Sequence, residues 1–295
     1  MRKLKAVKKY GSLYIMMLPV FIYFLLFSYY PLIRGFVISM QDFRVIGDRP
    51  FVGFDNYATV LQDPMFWQAM KNTLFIGGGI LAAGFFLPVL VALSLNELVR
   101  VSFKKFTQTV IYMPHLFSWV VVGGIWIYIL SPDGGLVNEL MKWFGKQPVH
   151  FLTQEDYARP TMILTAIWKD MGYNCILYLA AIVAINPSLY EAARIDGADR
   201  WQLIRYVTLP QLIPTMKVVL LLNTMGILRI FDQIFMLRNP AIARQVDVLM
   251  TYTYEKGILQ FKMGLASAAA FLVILATLLL VFVTRILTRY DEEYR

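Results

Sequence analysis

Six long apolar segments limit what this chain can fold into. They cover roughly residues 12–33, 73–95, 107–130, 161–185, 212–236 and 264–287. Each is long enough for a helix that crosses a bilayer, which needs about 20 mainly apolar residues. Hydrophobic residues make up 58% of the 295 residues and charged residues only 16%, a composition too apolar for a soluble domain of this size. The sequence therefore predicts an all-α integral membrane protein with six transmembrane helices.

The charges of the connecting loops predict the orientation of the spans. Fourteen basic and seven acidic residues lie in one set of loops, and ten of each lie in the other set. The first set comprises 1–11, 96–106, 186–211 and 285–295, and the second 41–72, 131–160 and 237–263. Because Lys and Arg are enriched in cytoplasmic loops, we predict a six-span domain over 12–287 with cytoplasmic tails at 1–11 and 288–295. The net charge of +9 is then an orientation signal and does not indicate nucleic-acid binding.

The first apolar segment follows a basic N-terminus, as the apolar part of a signal peptide does. It is longer than the usual 7–15 residues of such a part, and no small-residue cleavage site follows it. We interpret it as a membrane anchor. The single cysteine, Cys175, falls inside the fourth span, so an intramolecular disulfide is not possible.

A polar insert at 186–211 separates the fourth and fifth apolar segments. Ser188 and Glu191 have the S-x-x-E spacing of a capping box, which predicts a short helix that starts at Leu189. Gly197 can adopt the left-handed conformation that ends a helix. The first helix of the insert is therefore expected to end there.

The second half of the insert predicts another short helix. Asp199 is placed to cap it, and Trp201, Ile204 and Thr208 fall on one face. Pro210 marks the start of the next element. Small alanines in the first helix let another backbone come close, and arginines surround them with positive charge. The insert is therefore expected to form two helices at an angle, a shape suited to docking in a groove.

The spacing of Glu191-Ala-Ala193, Gly197 and Leu209-Pro210 resembles the cytoplasmic coupling loop of binding-protein-dependent ABC importers, through which the permease docks on its ATPase. The resemblance implies that the coupling residues are Glu191, Ala192, Ala193, Asp196, Gly197, Ala198, Trp201, Leu209 and Pro210. Segments similar to sugar-type permeases of this family extend the resemblance to nearly all of the chain. They are Ser28-Tyr-Tyr-Pro31, Phe51-Val-Gly-Phe-Asp-Asn-Tyr57, Asp63-Pro-Met-Phe-Trp67, Asn72-Thr73, Met113-Pro114, Gly135-Leu-Val-Asn138, Phe231-Asp-Gln-Ile-Phe235 and Gly264-Leu-Ala-Ser-Ala268.

This resemblance implies a type I ABC importer permease fold in a bacterial plasma membrane. It also implies several partners: a second related permease, usually a different one so that the pair is a heterodimer, two cytoplasmic ATPase subunits and an extracytoplasmic solute-binding protein. The ATPase subunits would bind ATP and Mg, and no cofactor is expected on this chain. The expected cargo is a sugar or oligosaccharide, carried by alternating access. Trp168-Lys-Asp-Met-Gly172 and Arg238-Asn-Pro240 most resemble the branch that carries complex or acidic oligosaccharides.

Residue patterns typical of enzymes are absent from the sequence. Nothing matches the P-loop pattern G-x-x-x-x-G-K-[ST], so ATP hydrolysis must come from another subunit. The two histidines, His115 and His150, are isolated, and neither H-E-x-x-H nor G-x-S-x-G occurs. We therefore predict no catalytic residues and no metal site, and we expect His115 to be a hydrogen-bonded packing residue.

Charged residues inside the spans require an explanation, because Lys, Arg or Asp at a helix centre costs about 2.5–3.5 kcal/mol on the insertion scale. Arg229 and Asp232 are three residues apart and are expected to share a helix face. They could form a local ion pair or line the outer mouth of a sugar pathway. Lys169 and Asp170 are adjacent and cannot share a face, so at least one must face a cavity or another helix.

Sugars are usually held by amide and carboxylate groups, with aromatic rings against their apolar faces. On this basis the candidate lining of a substrate pathway is Trp168, Tyr173, Asn174, Tyr178, Asn223, Arg229 and Asp232. Two alternatives stay open. An ABC importer permease could carry amino acids, phosphate or metal instead of sugar. An ion-coupled secondary transporter would need no ATPase, but such proteins commonly contain inverted repeats, and we see no internal repeat here.

Overall fold

The computed structural model describes residues 10–44 and 46–288, and most of this part is helical. In chain order the helices are α1 (Gly11–Ser39), α2 (Asp55–Gln62), α3 (Pro64–Asn96), α4 (Val101–Leu116), α5 (Trp119–Ile129), α6 (Leu136–Trp143), α7 (Glu155–Val183), α8 (Pro187–Ile195), α9 (Arg200–Ile227), α10 (Asp232–Leu237), α11 (Ala243–Val246), α12 (Leu249–Tyr254) and α13 (Met263–Thr288). In the described residues the only β-type pairing is an isolated bridge between Gln41 and Phe51.

The apolar segments form helices because a bilayer offers no water to satisfy backbone polar groups, and a helix satisfies them internally. Four helices, α1, α3, α9 and α13, are individually long and apolar enough to cross a membrane. Two further spans pass the same test only when two helices joined by a bend are taken together, α4 with α5 and α7 with α8. Of the second pair, α7 has 29 residues and contains the predicted fourth span, and α8 belongs to the polar insert. The prediction of an all-α protein with six spans is thus confirmed.

The third span is not the single helix expected over 107–130. Helices α4 and α5 meet at an angle of 105°, because Phe117 and Ser118 both have extended backbone conformations. Pro114 lies in the last turn of α4, where its missing N–H removes one helical hydrogen bond and weakens that turn. The bend places Trp119, the first residue of α5, at the wall of a cavity.

The fifth span also differs from its predicted range of 212–236. Helix α9 begins twelve residues earlier, at Arg200, and contains a π-helical turn over Leu203–Thr208. It ends at Ile227, and residues 228–231 are not helical. The expectation that Arg229 and Asp232 share a helix face is therefore wrong, because Arg229 lies in the break and Asp232 is the first residue of α10.

The described chain divides into two compact units. In the unit made of residues 64–252 and 273–288, two apolar clusters form along α3 and α7. One combines Val89, Ala92, Leu95, Cys175, Tyr178, Leu179, Ile182, Leu212 and Val219. The other combines Ile76, Ala158, Met162, Ile234, Leu237, Ile242, Val246 and Val248. Residues 77–84 of α3 and 166–174 of α7 lie between the clusters along each helix, and a cavity opens there.

The other unit comprises residues 10–44, 46–63 and 253–272. Its polar centre is Asn56, whose side-chain amide donates to the carbonyl oxygens of Ser39 and Gln41, at 2.9 Å each. Gly264 lies against this loop, where a Cβ atom would come within 2.3 Å of the Gln41 carbonyl oxygen. Only glycine permits this close approach of the first turn of α13.

Candidate functional site

The polar insert forms the helical hairpin that its sequence predicts, with one correction at its start. Helix α8 begins at Pro187, and the Asn186 side chain accepts a hydrogen bond of 3.0 Å from the Ser188 backbone N–H. The predicted capping box of Ser188 and Glu191, with a helix start at Leu189, is therefore wrong. Proline favours the first helical position because its φ angle suits the helix and it has no N–H to leave unpaired. This makes Asn186 the cap and places Ser188 inside the helix.

The turn between the two helices confirms the predicted role of Gly197. Its φ angle is +84°, its N–H donates to the Arg194 carbonyl at 3.1 Å, and the Ala198 N–H donates to the Ala193 carbonyl at 2.9 Å. These two bonds form a Schellman motif, which satisfies carbonyl groups at a helix end. The helix therefore ends where its sequence indicates.

The second helix is capped by Asp199, also as predicted. The Asp199 carboxylate accepts from the Gln202 N–H, and the Gln202 side chain accepts from the Asp199 N–H, each at 2.8 Å. The Tyr190 hydroxyl lies 2.9 Å from the Thr208 hydroxyl and joins the two halves of the hairpin. The hairpin is thus held by bonds among its own residues.

The hairpin exposes a small apolar surface flanked by charges. Ile195 is 85% exposed and Trp201 is 66% exposed, and Glu191 and Ala192 are also exposed. Of the other coupling residues that the resemblance implies, Asp196, Gly197 and Pro210 are exposed. Ala193, Ala198 and Leu209 are half-buried, and Leu209 packs against the first apolar cluster. All nine therefore lie on one hairpin, and all except Leu209 are on or near its surface.

A second cavity, of about 530 Å³, lies beside the hairpin at the end of α3. Glu97, Glu191, Arg194 and Arg200 contribute to its wall. Within the part of the chain that the structure describes, none of these four side chains forms an ion pair. Charges of both signs are thus available to an incoming surface.

The cavity between the two apolar clusters has a volume of about 290 Å³, close to the lower limit of about 300 Å³ for ligand pockets. Four of the seven candidate pathway residues line it: Asn174, Asn223, Arg229 and Asp232. The other three do not. Trp168 packs edge-on against Trp126, Tyr173 stacks on His115, and Tyr178 is fully buried in the first apolar cluster.

Asn174 has a structural partner as well as a place in the cavity. Pro88 lacks the N–H that would otherwise bond to the Gly84 carbonyl four residues earlier in α3. The Asn174 side-chain amide donates to that carbonyl at 3.3 Å. Asn174 therefore satisfies a backbone group that a proline leaves open, and it joins α7 to α3 at the cavity wall.

Arg229 and Asp232 line the cavity from the two sides of the helix break. Each is exposed, and no ion pair joins either of them to another side chain in the described residues. Of the two alternatives for these residues, the local ion pair is therefore absent from this part of the chain. Arg229 follows the C-terminal end of α9, and Asp232 begins α10. Both positions suit the signs of the helix dipoles, which favour cations at C-termini and anions at N-termini.

Sequence reasoning missed four polar or aromatic residues that line the cavity, namely Trp119, Asp170, Phe231 and Gln233. Gln233 is buried and donates to the Met162 carbonyl and to the Thr165 hydroxyl, the latter at 2.8 Å. The charge of Asp170 inside an apolar span was a signal for its place. Trp119 could not be identified, because only the bend between α4 and α5 brings it to the cavity.

His115 is a hydrogen-bonded packing residue, as predicted. Its Nδ1 lies 2.9 Å from Asp170 Oδ1, and its backbone oxygen accepts a bond of 3.1 Å from the ammonium group of Lys169. Its ring stacks on Tyr173 with 4.7 Å between ring centres. Lys169 and Asp170, which are adjacent in α7, thus both bond to His115 at the end of α4.

Six spans, an exposed polar hairpin and a polar cavity between spans define a membrane transport subunit. Residues 79–290 match the family described as binding-protein-dependent transport system inner membrane component, and the chain belongs to this family. Its fold is that of a type I ABC importer permease. Such a subunit lies in the inner membrane and works with a solute-binding protein.

Curated relatives cover almost the entire chain. The polygalacturonan/rhamnogalacturonan transport system permease protein YteP of Bacillus subtilis (strain 168) is 38% identical over 287 residues, which are 95% of this chain and 89% of that protein. Protein LplB of the same organism is 32% identical over 98% of this chain and 92% of its own length. Both relatives are thus similar to this chain over nearly its full length.

A solved structure gives the same result for the fold. A chain in the crystal structure of a bacterial alginate ABC transporter, in complex with an alginate pentasaccharide-bound periplasmic protein, is 39% identical. It superimposes with a TM-score of 0.90 over 98% of each chain. The two chains thus share one fold over nearly their full length.

Proposed function

We propose that this chain is the permease subunit of an ATP-driven importer that carries an oligosaccharide, and that the oligosaccharide contains acidic sugar residues. A solute-binding protein delivers the cargo from outside, and separate ATPase subunits provide the energy. The observation that carries the proposal is the hairpin at 186–211, which exposes Ile195 and Trp201 and is braced by its own hydrogen bonds. A rigid, partly apolar projection of this kind suits a protein partner.

The hairpin is the proposed docking element for a cytoplasmic ATPase that binds ATP and Mg. Ala192 and Ala193 let a groove of the partner approach the backbone, Trp201 provides a large apolar anchor, and Glu191 provides an unpaired charge. Two such ATPases would serve this chain and a second, related permease, which we expect to be a different protein. The excess of basic residues in the same set of loops supports cytoplasmic placement of both termini and of the hairpin.

Orientation can be measured with single cysteines in a Cys175→Ser background. Ser188→Cys, in the hairpin, should react with a membrane-impermeant maleimide only after cells are opened. Asp133→Cys, in the loop that follows α5, should react in intact cells. The reverse pattern would contradict the orientation.

The substrate assignment relies on the charges of the cavity. Arg229 places a guanidinium group without an ion-pair partner at the cavity wall, and guanidinium groups bind carboxylates with paired hydrogen bonds. Asn174, Asn223 and Gln233 add amides that can bond to hydroxyl groups. Polygalacturonan and alginate, named for two relatives, are acidic polysaccharides, which supports the same class of cargo here.

Transport by the complex in proteoliposomes tests this proposal. Trigalacturonate and its fully methyl-esterified form have the same sugar skeleton and differ in charge, and each is supplied on a saturating amount of binding protein. Wild-type complex should prefer the acid, and Arg229→Gln should reduce that preference by about tenfold or more, the effect of a lost charge-assisted hydrogen bond. Arg100→Gln, an exposed arginine away from the cavity, should leave the preference unchanged.

Two results would overturn the proposal. If no oligosaccharide stimulates ATP hydrolysis and an amino acid, phosphate or a metal ion does, the cargo is of another class. If uptake persists without ATP and collapses with the proton gradient, the chain is an ion-coupled transporter.

A further inference from the structure

Asp170 lies in the middle of α7, and only one of its two carboxylate oxygens contacts other side chains among the residues that the structure describes. Oδ1 lies 2.9 Å from His115 Nδ1 and 3.8 Å from the ammonium nitrogen of Lys169. In the described part of the chain no partner is present for Oδ2. The side chain is 47% exposed and lines the 290 Å³ cavity. The free oxygen is therefore available to a molecule in the cavity.

The contacts behind Asp170 fix its position. An ionised carboxylate can only accept hydrogen bonds, so the His115 tautomer that fits this contact is the one with a proton on Nδ1. The His115 ring is held in turn by stacking on Tyr173, with 18° between the ring planes. Lys169, whose side chain is only 9% exposed, donates to the His115 carbonyl oxygen and so holds the end of α4.

Gly172 brings the two helices close enough for these contacts. A Cβ atom at this position would lie 2.1 Å from the Ile111 carbonyl oxygen, so α4 approaches α7 by its backbone. Lys169 and Asp170 then bond to His115 at the end of α4, and Tyr173 stacks on its ring. The carboxylate is thus set in a rigid frame.

A carboxylate inside a span is expensive and is rarely retained without a function. Lys169 offsets part of the electrostatic cost, but the other half of the Asp170 carboxylate faces open space instead of a second protein donor. Hydroxyl groups of a sugar are donors that would satisfy Oδ2. Arg229, at the wall of the same cavity, offers the opposite chemistry because it only donates.

We propose that Asp170 contacts the substrate by accepting hydrogen bonds from sugar hydroxyl groups, and that His115 and Lys169 are positioning residues that aim its free oxygen into the cavity. The proposal rests on the oligosaccharide function given above. It adds to the cavity an acceptor for hydroxyl groups, which complements the donor that Arg229 provides for carboxylates.

Asp170→Asn tests the contact, because it keeps the size of the side chain and removes its charge. Transport of trigalacturonate in proteoliposomes, with saturating binding protein, should fall about tenfold or more, as expected when a hydrogen bond to a charged group is lost. Asp156→Asn, an exposed carboxylate at the start of the same helix, is the matched control and should transport at the wild-type rate.

A second variant distinguishes the loss of this contact from a folding defect. Asp170→Glu keeps the charge and moves the carboxylate by one methylene group, so it should keep the thermal stability of the complex and still transport slowly. Wild-type transport by Asp170→Asn or by Asp170→Glu would overturn the role of Asp170. If wild-type complex carries no oligosaccharide at all, the proposed function fails instead, so the two failures are distinct.

Two substitutions of His115 distinguish its hydrogen bond to Asp170 from its stacking on Tyr173. His115→Asn retains a side-chain N–H near the position of Nδ1, and His115→Phe retains the ring that stacks on Tyr173. If the hydrogen bond aims Asp170, His115→Asn should transport well and His115→Phe should transport as slowly as Asp170→Asn. The double variant of His115→Phe with Asp170→Asn should be no slower than Asp170→Asn alone. Additive losses, or normal transport by His115→Phe, would overturn the positioning role.

Discussion

The hairpin at 186–211 and the cavity in the spans are built in opposite ways. The hairpin is closed by bonds between residues that are near in sequence, such as Gly197 to Arg194 and Asp199 to Gln202. The cavity combines α3, α5, α7, α9 and α10, and its polar contacts join residues as distant as Asn174 and Gly84. A local structure can dock as a rigid body, whereas a wall assembled from several helices can change when the helices move.

This difference predicts where a backbone change does the most harm. Gly197→Pro should abolish transport, because proline cannot adopt a φ angle of +84° and removes the N–H that bonds to Arg194. A local cost of about 3 kcal/mol corresponds to more than a hundredfold in the population of the correct hairpin. Affinity for the binding protein should not change.

Gly145 provides a matched control for that substitution. It ends α6 at a φ angle of +72°, with the same pair of bonds, from its own N–H to Lys142 and from the Lys146 N–H to Met141. Gly145→Pro therefore disrupts the same motif away from the hairpin and should preserve most of the transport. Equal losses in the two variants would mean that the hairpin has no special role.

The cavity should respond to changes in packing between distant helices. In Gly77→Ala the new Cβ atom would lie 2.3 Å from Ile227 Cγ2, next to the break in α9, whereas nothing lies within 4 Å of the corresponding atom in Gly78→Ala. Overpacking typically costs about 1–3 kcal/mol. Thermal unfolding of the purified subunit should show a lower melting temperature for Gly77→Ala than for the wild type, and no decrease for Gly78→Ala. Equal melting temperatures of the two variants would contradict the close packing.

The smallest expected effect concerns the contact of Asn174 with α3. Asn174→Ala should cost about 1 kcal/mol because the Gly84 carbonyl loses its donor. In a Pro88→Ala background the helix regains its own N–H for that carbonyl, so the same substitution should cost less. A double-mutant cycle on thermal unfolding measures the difference. Equal costs in the two backgrounds would show that Asn174 does not serve the carbonyl freed by Pro88.

The same contrast explains which features could be predicted from the sequence. The end of α8 at Gly197 and the cap at Asp199 depend on local backbone chemistry, which a short stretch of sequence contains. The cap at Asn186 was missed because a proline at the first helical position competes with the capping-box pattern of Ser188 and Glu191. The competition shifts the helix start by two residues.

The cavity was harder to predict because its lining depends on bends and breaks in the spans. A straight fifth span would place Arg229 and Asp232 on one face, but the break after Ile227 separates them. Trp119 reaches the cavity through the 105° bend. Tyr178 is polar, yet its ring packs into the apolar cluster of α3, α7 and α9. Such outcomes follow from contacts between helices, which one helical sequence does not contain.

If the hairpin docks on the ATPase, substitution of an exposed tryptophan in the hairpin should weaken ATPase binding, and substitution of an exposed tryptophan elsewhere should not. Trp201 in the hairpin is 66% exposed, and Trp143 at the end of α6 is 84% exposed. The Kd of the ATPase for the purified permease pair in nanodiscs should rise about thirtyfold with Trp201→Ala, the effect of losing an interface anchor worth about 2 kcal/mol. Trp143→Ala should leave the Kd unchanged. An unchanged Kd for Trp201→Ala, or an equal rise of the Kd with both substitutions, would contradict docking of the ATPase on the hairpin.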